Sequence, residues 1–588
     1  MSKTVIETFK TAAQRYANDI ALKHKINGKW QDISGAEYEN HVLTTAKALI
    51  KMGLEPGKGV AIIGYNCPQW FYADVGAIFA GGIPAGIYTT NSAEQCQYIA
   101  HHCEAQIAVV EDAAQLAKFK KIQDQLPHLK AIVLMYGEDS SDDVYSWSDL
   151  KRLAAEQNDS ELNERMKNQK LEDTCTLIYT SGTTGDPKAV MITHNNATWT
   201  AQAGVDCVDM REGDCGITYL PLSHVAEQML SIHGPMLTGG SVAFAESLEK
   251  LGDNLREIRP NYFLGVPRVW EKIQAKMMAA GAQNSNIKKK IAAWARDIGL
   301  KTGYAIQAGE NRPLLYPLAH KLVFSKVREK LGLDRCRIMV TSAAPISKDT
   351  LEFFLSLDIP LMEVYGMSEC TGPATVSTPE RFKTGKAGFA LPGTEIRIAE
   401  DGEVCMRGPH VFAGYMKNPE ATASALDQEG WLHSGDIGTI DEDGFLQITD
   451  RKKELIITAG GENIAPQLIE AALKSIPVVA QAVVIGDRRK YLSALLTLDA
   501  ENLLTELEKA GSNATDVPTA AACEGFSSFL QSQINEVNEK LARVQTIKKW
   551  TVIQTEFTPE SGELTPTMKL KRRVVNEKYS DEIEKMYD

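Results

Sequence analysis

Residues 178–189 read Ile178-Tyr179-Thr180-Ser181-Gly182-Thr183-Thr184-Gly185-Asp186-Pro187-Lys188-Ala189. The apolar runs at 174–179 and 189–192 are each predicted to be a buried strand. Between them, glycines let successive backbone N–H groups converge on one point, hydroxyls add donors, and the lysine supplies a mobile cation. These properties suit a polyphosphate, so we expect residues 180–188 to hold the phosphates of ATP.

This loop differs from a Walker phosphate loop, in which a glycine directly precedes the lysine and a helix follows. Here Asp186 and Pro187 intervene, and the next element is predicted to be a strand. A hairpin turn rich in Ser, Thr and Gly would explain any three of these residues, but not all nine in this order. The stretch resembles the phosphate loop of the adenylate-forming superfamily, which contains acyl-CoA synthetases, luciferases and peptide-synthetase adenylation domains.

The whole-chain composition is that of a globular protein, since 44% of the 588 residues are hydrophobic and 24% are charged. The net charge of −13 argues against nucleic-acid binding, because neutralising phosphates requires a basic surface. The ten cysteines include no CxxC pair, so we expect free thiols in a reducing compartment. A zinc site at 96–103 is disfavoured, because Ser92 and Gln95 predict a capping box that opens a helix there.

Two stretches bear on membranes. Residues 1–10 lack the apolar core of a signal peptide, and the most apolar window, 75–88, is shorter than the ~20 residues that span a bilayer. We therefore expect a cytoplasmic protein.

Residues 276–316 are helical in pattern and carry Lys288, Lys289 and Lys290. Such a segment can rest on an anionic membrane, or it can simply face solvent. Peripheral membrane contact therefore stays open.

The fold is predicted to be α/β. Apolar strands and helices alternate from residue 59, which favours a parallel sheet with right-handed crossovers. We expect strands at 60–63, 83–88, 107–110, 131–135 and 338–341, helices at 68–79 and 92–103 and from Ser347, and a loop at 431–438. The charge cluster after residue 450 indicates a boundary between a large N-terminal domain of layered sheets and helices, residues 1–450, and a small mobile C-terminal α/β domain, residues 451–588.

The closest family signal lies near the N-terminus. Residues 64–71 (Gly-Tyr-Asn-Cys-Pro-Gln-Trp-Phe), 76–82 (Gly-Ala-Ile-Phe-Ala-Gly-Gly) and 86–92 (Gly-Ile-Tyr-Thr-Thr-Asn-Ser) look like the bubblegum-type branch of the long-chain acyl-CoA synthetases. Most of these residues are expected to serve helix and turn packing. Together these residues indicate membership of the bubblegum-type branch, but they do not indicate catalytic roles.

The resemblance implies an ATP site after residue 341. The turn that contains Ala344 and Pro345 is expected to lie against adenine, although relatives often have paired glycines where Ser342 and Ala343 stand. Ser368 is expected to contact phosphate or acyl group, and Glu369 to bind magnesium, which prefers hard oxygen ligands. The nucleotide is further expected to contact Glu363, Val364, Tyr365, Gly366 and Met367, with the Tyr365 ring against the purine.

Later positions match the family's remaining functional residues. Asp436 is expected to accept hydrogen bonds from the ribose hydroxyls and Arg451 to contact ribose. Lys453 matches the hinge about which the small domain rotates, and Lys569 the catalytic lysine of adenylation. His224 is expected to line the acyl pocket.

The resemblance therefore implies a long-chain fatty-acid–CoA ligase that uses ATP, Mg²⁺ and CoA. A carboxylate would attack the α-phosphate to give acyl-AMP and pyrophosphate, and CoA would then displace AMP. Two alternatives stay open: an adenylate-forming ligase with another carboxylic acid or a carrier-protein acceptor, and a catalytically silent binding protein. The sequence indicates neither the acyl-chain length nor the oligomeric state.

Overall fold

A computed structural model describes residues 3–180, 186–460, 462–559, 561–565 and 568–588, apart from the side chains of residues 463 and 501. Its largest sheet has eight strands, and the six from Thr174–Thr180 to the far edge run parallel. In spatial order the strands are Gly414–Tyr415, Lys188–Thr193, Thr174–Thr180, Ile83–Ile87, Gly59–Ile63, Ala105–Val110, Ala131–Leu134 and Val144–Ser146.

Six smaller sheets complete the described β-structure. Residues before Arg451 form four of them: Cys215–Thr218, Ser241–Phe244, Ile20–Ile26 and Lys29–Ser34; Tyr262–Gly265, Ile338–Thr341 and Met362–Glu363; Tyr365–Met367, Gly372–Val376 and Phe389–Ala390; and Glu395–Ile398, Glu403–Arg407, Leu432–Ile440 and Leu446–Arg451. Later residues form the pair Ile456–Ile457 and Asn463–Ile464 and the sheet Val479–Ile485, Leu492–Leu498 and Ile547–Ile553.

Helices cover the faces of these sheets. Those before residue 300 are Val5–Arg15, Gly35–Lys51, Pro68–Phe79, Ala93–His102, Ala113–Ile122, Asp149–Ala155, Asp159–Asn168, His194–Val208, Val225–Gln228, Gly234–Thr238, Leu251–Ile258, Pro267–Ala282 and Asn286–Gln307. The later ones are Tyr316–Ala319, Ser325–Leu331, Lys348–Leu355, Pro419–Ala425, Pro466–Lys474, Ala500–Lys509, Val517–Ala521, Glu524–Asn538, Arg572–Lys578 and Ser580–Lys585. Two π-helical turns, Met229–His233 and His320–Phe324, interrupt longer helical stretches.

The helix Pro68–Phe79 shows why local signals were sufficient for the elements predicted between residues 59 and 110. Pro68 occupies the first helical position, where its fixed φ and missing N–H are tolerated, and every residue except Gln69 is buried. The next helix begins after Ser92, whose side chain and that of Gln95 form the expected capping box. The α/β prediction and the parallel sheet are confirmed.

Two stretches differ from expectation. Residues 432–440 form a strand rather than a loop, because their backbone pairs with Glu403–Arg407 on one side and Leu446–Arg451 on the other. Glycine has a low strand propensity, so the glycines in this segment favoured a loop. Backbone hydrogen bonds to a neighbouring strand on each side outweigh that low propensity. Residues 276–316 are also divided, since one helix ends at Ala282 and the next begins after Ser285.

Residues after Arg451 build a core of their own. Buried Ile469, Leu496, Phe526, Leu530 and Ile547 belong to one apolar cluster drawn from this part of the chain. Ion pairs connect this part to the rest: Arg268 lies 3.0 Å from Asp499, and Lys474 lies 3.8 Å from Glu271. Its position is therefore held here by charged contacts to the helix Pro267–Ala282.

Candidate active site

A cavity of about 1770 Å³ lies between the larger part of the chain and the segment around residue 569. Of the predicted site residues, those that line it are Thr180, Pro187, Lys188, His224, Ala344, Pro345, Val364, Gly366, Met367, Ser368, Glu369, Arg451, Lys453 and Lys569. Asp186, Glu363, Tyr365 and Asp436 are not among the lining residues. Ser181, Gly182, Thr183, Thr184 and Gly185 lie outside the described residues.

The predicted phosphate loop connects two paired antiparallel strands. Thr180 is paired with Lys188, so the first and last residues of the predicted loop are neighbours at the sheet end. Pro187 presents its carbonyl to the hydroxyl of Tyr98 at 3.2 Å. This anchoring fixes the C-terminal end of the loop and directs Lys188 into the cavity.

Tyr415 links the lysine to the expected magnesium ligand. Its hydroxyl donates a 2.7 Å hydrogen bond to Oε1 of Glu369, and Nζ of Lys188 lies 4.9 Å from the centre of its ring. Tyr415 reaches this place because the short strand Gly414–Tyr415 pairs with Lys188–Thr193. A carboxylate and a cation are thus held side by side where the cavity is expected to receive the phosphates.

Glycine at 366 is required by a close backbone approach. A Cβ at this position would lie 1.8 Å from the carbonyl oxygen of Gly372, so no side chain fits. The turn that follows, Ser368–Cys370, is closed by the left-handed residue Thr371, with φ of +56°. This compact turn buries Glu369 and brings Ser368 to the cavity wall.

The turn after the strand Ile338–Thr341 contains a residue in a left-handed conformation. Ala343 has φ of +77°, a conformation that costs an L-residue about 1–2 kcal/mol. Ser342 supports the turn, because its hydroxyl donates a 2.7 Å hydrogen bond to the carbonyl of Val364. Ala344 and Pro345 consequently line the cavity beside Val364.

Tyr365, Asp436 and Arg451 form a connected set. The Tyr365 hydroxyl donates to Oδ2 of Asp436 at 2.7 Å, and Nε of Arg451 lies 3.2 Å from Oδ1. Asp436 and Arg451 are also direct partners across two strands. A carboxylate has about four lone-pair positions, so Asp436 keeps acceptor capacity for two hydroxyls after these contacts.

Glu363 has a different setting from its neighbours. Oε1 accepts a 2.7 Å hydrogen bond from the backbone N–H of Gly385, and burial raises the pKa of this carboxyl to about 8. Its side chain therefore secures the loop around Gly385.

Lys569 projects toward the cavity from a turn near the C-terminus. Its backbone N–H bonds Oγ1 of Thr565 and its carbonyl accepts from the N–H of Thr565. Burial, with the charge of Arg451, lowers the pKa of Lys569 to about 8, against the opposing effect of Asp436 and Glu369. The amine is therefore close to the groups expected to surround a nucleotide.

His224 lines the cavity and is close enough to Lys569 to feel its charge. Nδ1 accepts a 3.3 Å hydrogen bond from the N–H of Ala226, and burial lowers the pKa of the imidazole to about 3, with a further contribution from Lys569. The ring is thus neutral at physiological pH. Apolar side chains contribute much of the cavity wall: Val205, Val208, Met210, Val225, Met229, Leu264, Val340 and Val376.

The proposed hinge lies at the cavity edge. Lys453 is exposed, whereas the preceding residue Lys452 is tied to the sheet by contacts to Asp401 at 2.5 Å and Glu403 at 3.1 Å. The Lys452 N–H also bonds the carbonyl of Gly435. The chain therefore leaves the larger part of the molecule directly after an anchored residue.

Sequence reasoning gave Tyr415 no role and missed the apolar wall. Tyr415 sits in an ordinary-looking Gly-Tyr-Met-Lys run, and no local pattern shows that it pairs with the strand after the phosphate loop. The wall residues come from five separate segments, so they leave no contiguous signature. Lys188, Glu369, Arg451 and Lys569, by contrast, stand in recognisable motifs.

Two family matches cover most of the chain: AMP-binding enzyme over residues 9–416 and AMP-binding enzyme C-terminal domain over residues 453–588. The chain is 46% identical to the long-chain-fatty-acid–CoA ligase ACSBG2 of Xenopus laevis, covering 99% of this chain and 84% of that protein. It is 40% identical to the long-chain-fatty-acid–CoA ligase ACSBG1 of Rattus norvegicus, covering 99% and 85%.

Solved structures share the fold at low identity. An anthranilate CoA ligase in complex with anthranoyl-AMP is 18% identical, covers 98% of this chain and 97% of its own, and superposes with a TM-score of 0.74. The adenylation domain of a carboxylate reductase from Mycobacterium chelonae is 21% identical, covers 100% and 91%, and gives a TM-score of 0.77. A large N-terminal part with a smaller C-terminal part is common to these proteins.

Proposed function

The chain belongs to the AMP-binding enzyme family, and we propose that it is a long-chain fatty-acid–CoA ligase that works through an acyl-adenylate. The observation that carries this proposal is the convergence of Lys188, Glu369, Arg451 and Lys569 around one cavity that many apolar side chains also line. The 40–46% identity to long-chain ligases over nearly the whole chain supports the same activity.

The first half-reaction makes a poor electrophile reactive. A fatty-acid carboxylate attacks the α-phosphorus of ATP, the bond to pyrophosphate breaks, and the carboxyl oxygen becomes part of a good leaving group. Negative charge accumulates around phosphorus, and preorganised cations stabilise it without further reorganisation. Lys188 and Lys569 are suited to this role, because both enter the cavity from opposite parts of the chain.

The nucleoside part of ATP has its own set of contacts. Asp436 is oriented by Tyr365 and Arg451, so its remaining lone pairs can accept from the ribose hydroxyls. Ala344, Pro345 and Val364 provide an apolar stretch of the cavity wall against which the adenine ring can pack. We assign these residues to nucleotide binding and His224 to the junction with the acyl chain.

The residues fit a magnesium ion bound together with ATP. Glu369 supplies a hard carboxylate oxygen, and the Tyr415 hydroxyl occupies part of only Oε1. Mg²⁺ usually takes one or two carboxylates and completes its shell with phosphate oxygens and water. Bound there, the ion would offset phosphate charge, while Tyr415 keeps the Glu369 carboxylate in position.

The second half-reaction requires different neighbours. The thiolate sulfur of CoA attacks the acyl carbon, and AMP leaves with the electron pair of the broken C–O bond. In the arrangement described here Lys569 lies in the cavity, which suits adenylation. We propose that rotation of residues 451–588 about Lys453 withdraws this lysine and admits CoA, since a few residues after an anchored strand can absorb such a rotation.

An exposed apolar and basic surface supports contact with a membrane, the source of a long-chain fatty acid. Residues 286–330 carry ten basic and three acidic residues, in a chain of net charge −13. Leu314 is 97% exposed, and Leu315, Leu318 and Leu322 are each more than 40% exposed. Together they form a surface that can insert leucines while basic groups meet anionic head groups. None of the described helices is long and apolar enough to cross a bilayer.

Vesicle sedimentation tests this surface. Wild type should co-sediment with vesicles of mixed neutral and anionic phospholipid, and Leu315→Asp/Leu318→Asp should weaken that binding. Leu248→Asp is a matched control, because Leu248 is about equally exposed and lies outside this surface. Equal sedimentation of all three proteins would refute membrane contact here without affecting the assigned reaction.

ATP–pyrophosphate exchange tests the function directly. Carboxylic acids from acetate to long-chain fatty acids would be compared, CoA would then be added, and the thioester would be detected by mass spectrometry. Exchange and thioester that both peak with long chains support the proposal. Exchange without a thioester product would indicate an acceptor other than CoA. Exchange that peaks with another class of carboxylic acid would overturn the assigned substrate. Absence of any exchange would indicate a catalytically silent binding protein.

A further inference from the structure

Three side chains with metal-binding atoms meet on one face of a sheet, beside the proposed hinge. Glu403 and Cys405 alternate along the strand Glu403–Arg407, so they point to the same side. Cys405 is paired directly with His433 on the adjacent strand Leu432–Ile440. One carboxylate oxygen, the thiol sulfur and one imidazole nitrogen all lie within 4.8 Å of one another.

The distances between these atoms match those between ligands of a tetrahedrally coordinated metal ion. Sγ of Cys405 lies 3.5 Å from Nδ1 of His433, and that nitrogen lies 3.3 Å from Oε2 of Glu403. With Zn–S of about 2.3 Å and Zn–N and Zn–O of about 2.0 Å, tetrahedral angles place S and N about 3.5 Å apart and N and O about 3.3 Å apart. An ion therefore fits with little change in these two distances.

Two neighbours compete for one imidazole nitrogen in this cluster, and the Cys405 thiol has the backbone carbonyl of Glu403, at 3.9 Å, as a further acceptor. Nδ1 of His433 can donate a proton to Glu403 or accept one from the Cys405 thiol, but it cannot do both at once. A divalent cation would bind all three atoms together and would hold the sulfur as thiolate.

The other nitrogen of His433 already has the partner that a metal-bound imidazole requires. Nε2 lies 3.5 Å from Oδ2 of Asp427. The backbone N–H groups of Glu429 and Trp431 both bond Oδ1 of Asp427 at 2.9 Å, which fixes this carboxylate. Metal-ligating histidines usually donate their second N–H to such a group, which sets the tautomer and the ring orientation.

Two cations face the cluster and oppose an incoming ion. Lys452 lies 3.1 Å from Oε2 of Glu403 and also contacts Asp401. Arg397 lies 3.8 Å from Asp427. An ion that takes Oε2 of Glu403 must displace Lys452, which can remain paired with Asp401. The contact between the Gly435 N–H and Oε1 can remain in place.

We propose that Glu403, Cys405 and His433 form a binding site for Zn²⁺ or a similarly thiophilic divalent cation, in competition with Lys452. Binding forms bonds from the metal to S, N and O, and it releases the thiol proton to solvent. Three protein ligands leave a fourth position for water. His433 lines the cavity and its side chain is 34% exposed, which provides a route for the ion.

Cobalt absorption of the full-length, metal-stripped protein tests this site directly. Tetrahedral Co²⁺ bound to a thiolate should give visible d–d bands and a sulfur-to-metal charge-transfer band, and Zn²⁺ should remove both by displacement. Cys405→Ser should abolish the charge-transfer band, and His433→Gln should weaken Co²⁺ binding at least about tenfold. Cys207→Ser and Cys523→Ser are controls, because these cysteines are the least buried of the other thiols and should leave the spectrum unchanged.

Two further variants separate metal binding from misfolding. Asp427→Asn should weaken Co²⁺ binding about tenfold. Lys452→Met should strengthen it by up to about fivefold, the most that an exposed ion pair usually contributes. The proposal is overturned if wild type shows no bands at millimolar Co²⁺, if Cys405→Ser keeps the charge-transfer band, or if Lys452→Met weakens binding.

Discussion

The hydroxyl of Tyr415 donates a 2.7 Å hydrogen bond to the carboxylate of Glu369, across 46 residues of sequence. The same ring lies 4.9 Å from the ammonium group of Lys188. Tyr415 thus fixes the distance between the expected magnesium ligand and the expected phosphate-binding cation. Its hydroxyl is engaged by Glu369, so we infer that its contribution is to position these two residues.

Tyr415→Phe should lower adenylation while keeping the ring. A hydrogen bond to a charged group contributes about 1.5–3 kcal/mol, so a loss of about tenfold or more in ATP–pyrophosphate exchange is expected. The Mg²⁺ concentration for half-maximal exchange should also rise, because Glu369 becomes less well oriented. Tyr304→Phe is the control: that hydroxyl bonds Glu352 at the surface and its removal should leave exchange unchanged. Unchanged magnesium dependence in Tyr415→Phe would contradict the assignment.

The charge of Lys569 should make adenylation sensitive to alkaline pH. Its folded-state pKa is lowered to about 8, so the amine loses its proton as pH rises through that value. Exchange is therefore expected to decrease above about pH 8. Lys569→Arg should move the decrease to higher pH, since a guanidinium stays charged. A profile in which the two proteins decrease at the same pH would assign the ionisation to another group.

Local sequence signals were enough where one segment determines its own structure. The Ser92 capping box, Pro68 at a helix start and the strand–loop–strand around Lys188 are cases of this kind. They are short-range effects, which is why these particular elements were predicted closely.

Contacts across the sequence could not be predicted in the same way. The Tyr415–Glu369 bond depends on the pairing of Gly414–Tyr415 with Lys188–Thr193, and that register is decided by tertiary packing. The cluster around His433 likewise exists because Cys405 is its cross-strand partner. Nothing within either segment indicates which strand lies beside it.

Gly366→Ala should remove activity by distorting the site. The added Cβ would lie 1.8 Å from the carbonyl oxygen of Gly372, so the two backbone segments must separate. Circular dichroism and exchange assays should show a weakened fold or an inactive one. Gly281→Ala is a matched control, because this helical glycine has open space around its Cβ and alanine there should be neutral or stabilising by up to about 1 kcal/mol. An active Gly366→Ala protein would show that the close approach is relaxed.

The two half-reactions should respond oppositely to two substitutions. Lys569→Ala should abolish acyl-AMP formation while leaving thioester formation from supplied acyl-AMP largely intact. Lys453→Pro should do the reverse, because proline fixes φ at about −65° and opposes rotation at the hinge. Each half-reaction would be followed separately, by pyrophosphate exchange and by CoA-ester mass detection. Equal loss of both half-reactions in either variant would contradict two working arrangements of residues 451–588.

Asp74 should make the large part of the protein less stable at neutral and alkaline pH. Oδ1 is buried without a hydrogen-bond partner in the described structure, and burial raises the pKa of this carboxyl to about 7. The folded state therefore binds a proton that the unfolded state releases at lower pH, so stability is lost as pH rises from about 4 through about 7. At pH 8, Asp74→Asn should increase the free energy of unfolding by about 1–4 kcal/mol, which is measured as a higher unfolding temperature. At pH 4 the substitution should change the unfolding temperature little. Asp142→Asn, at an exposed position, is the control and should behave as wild type at both pH values. A gain from Asp74→Asn that is equal at pH 4 and pH 8 would show that packing, rather than the carboxylate charge, is responsible.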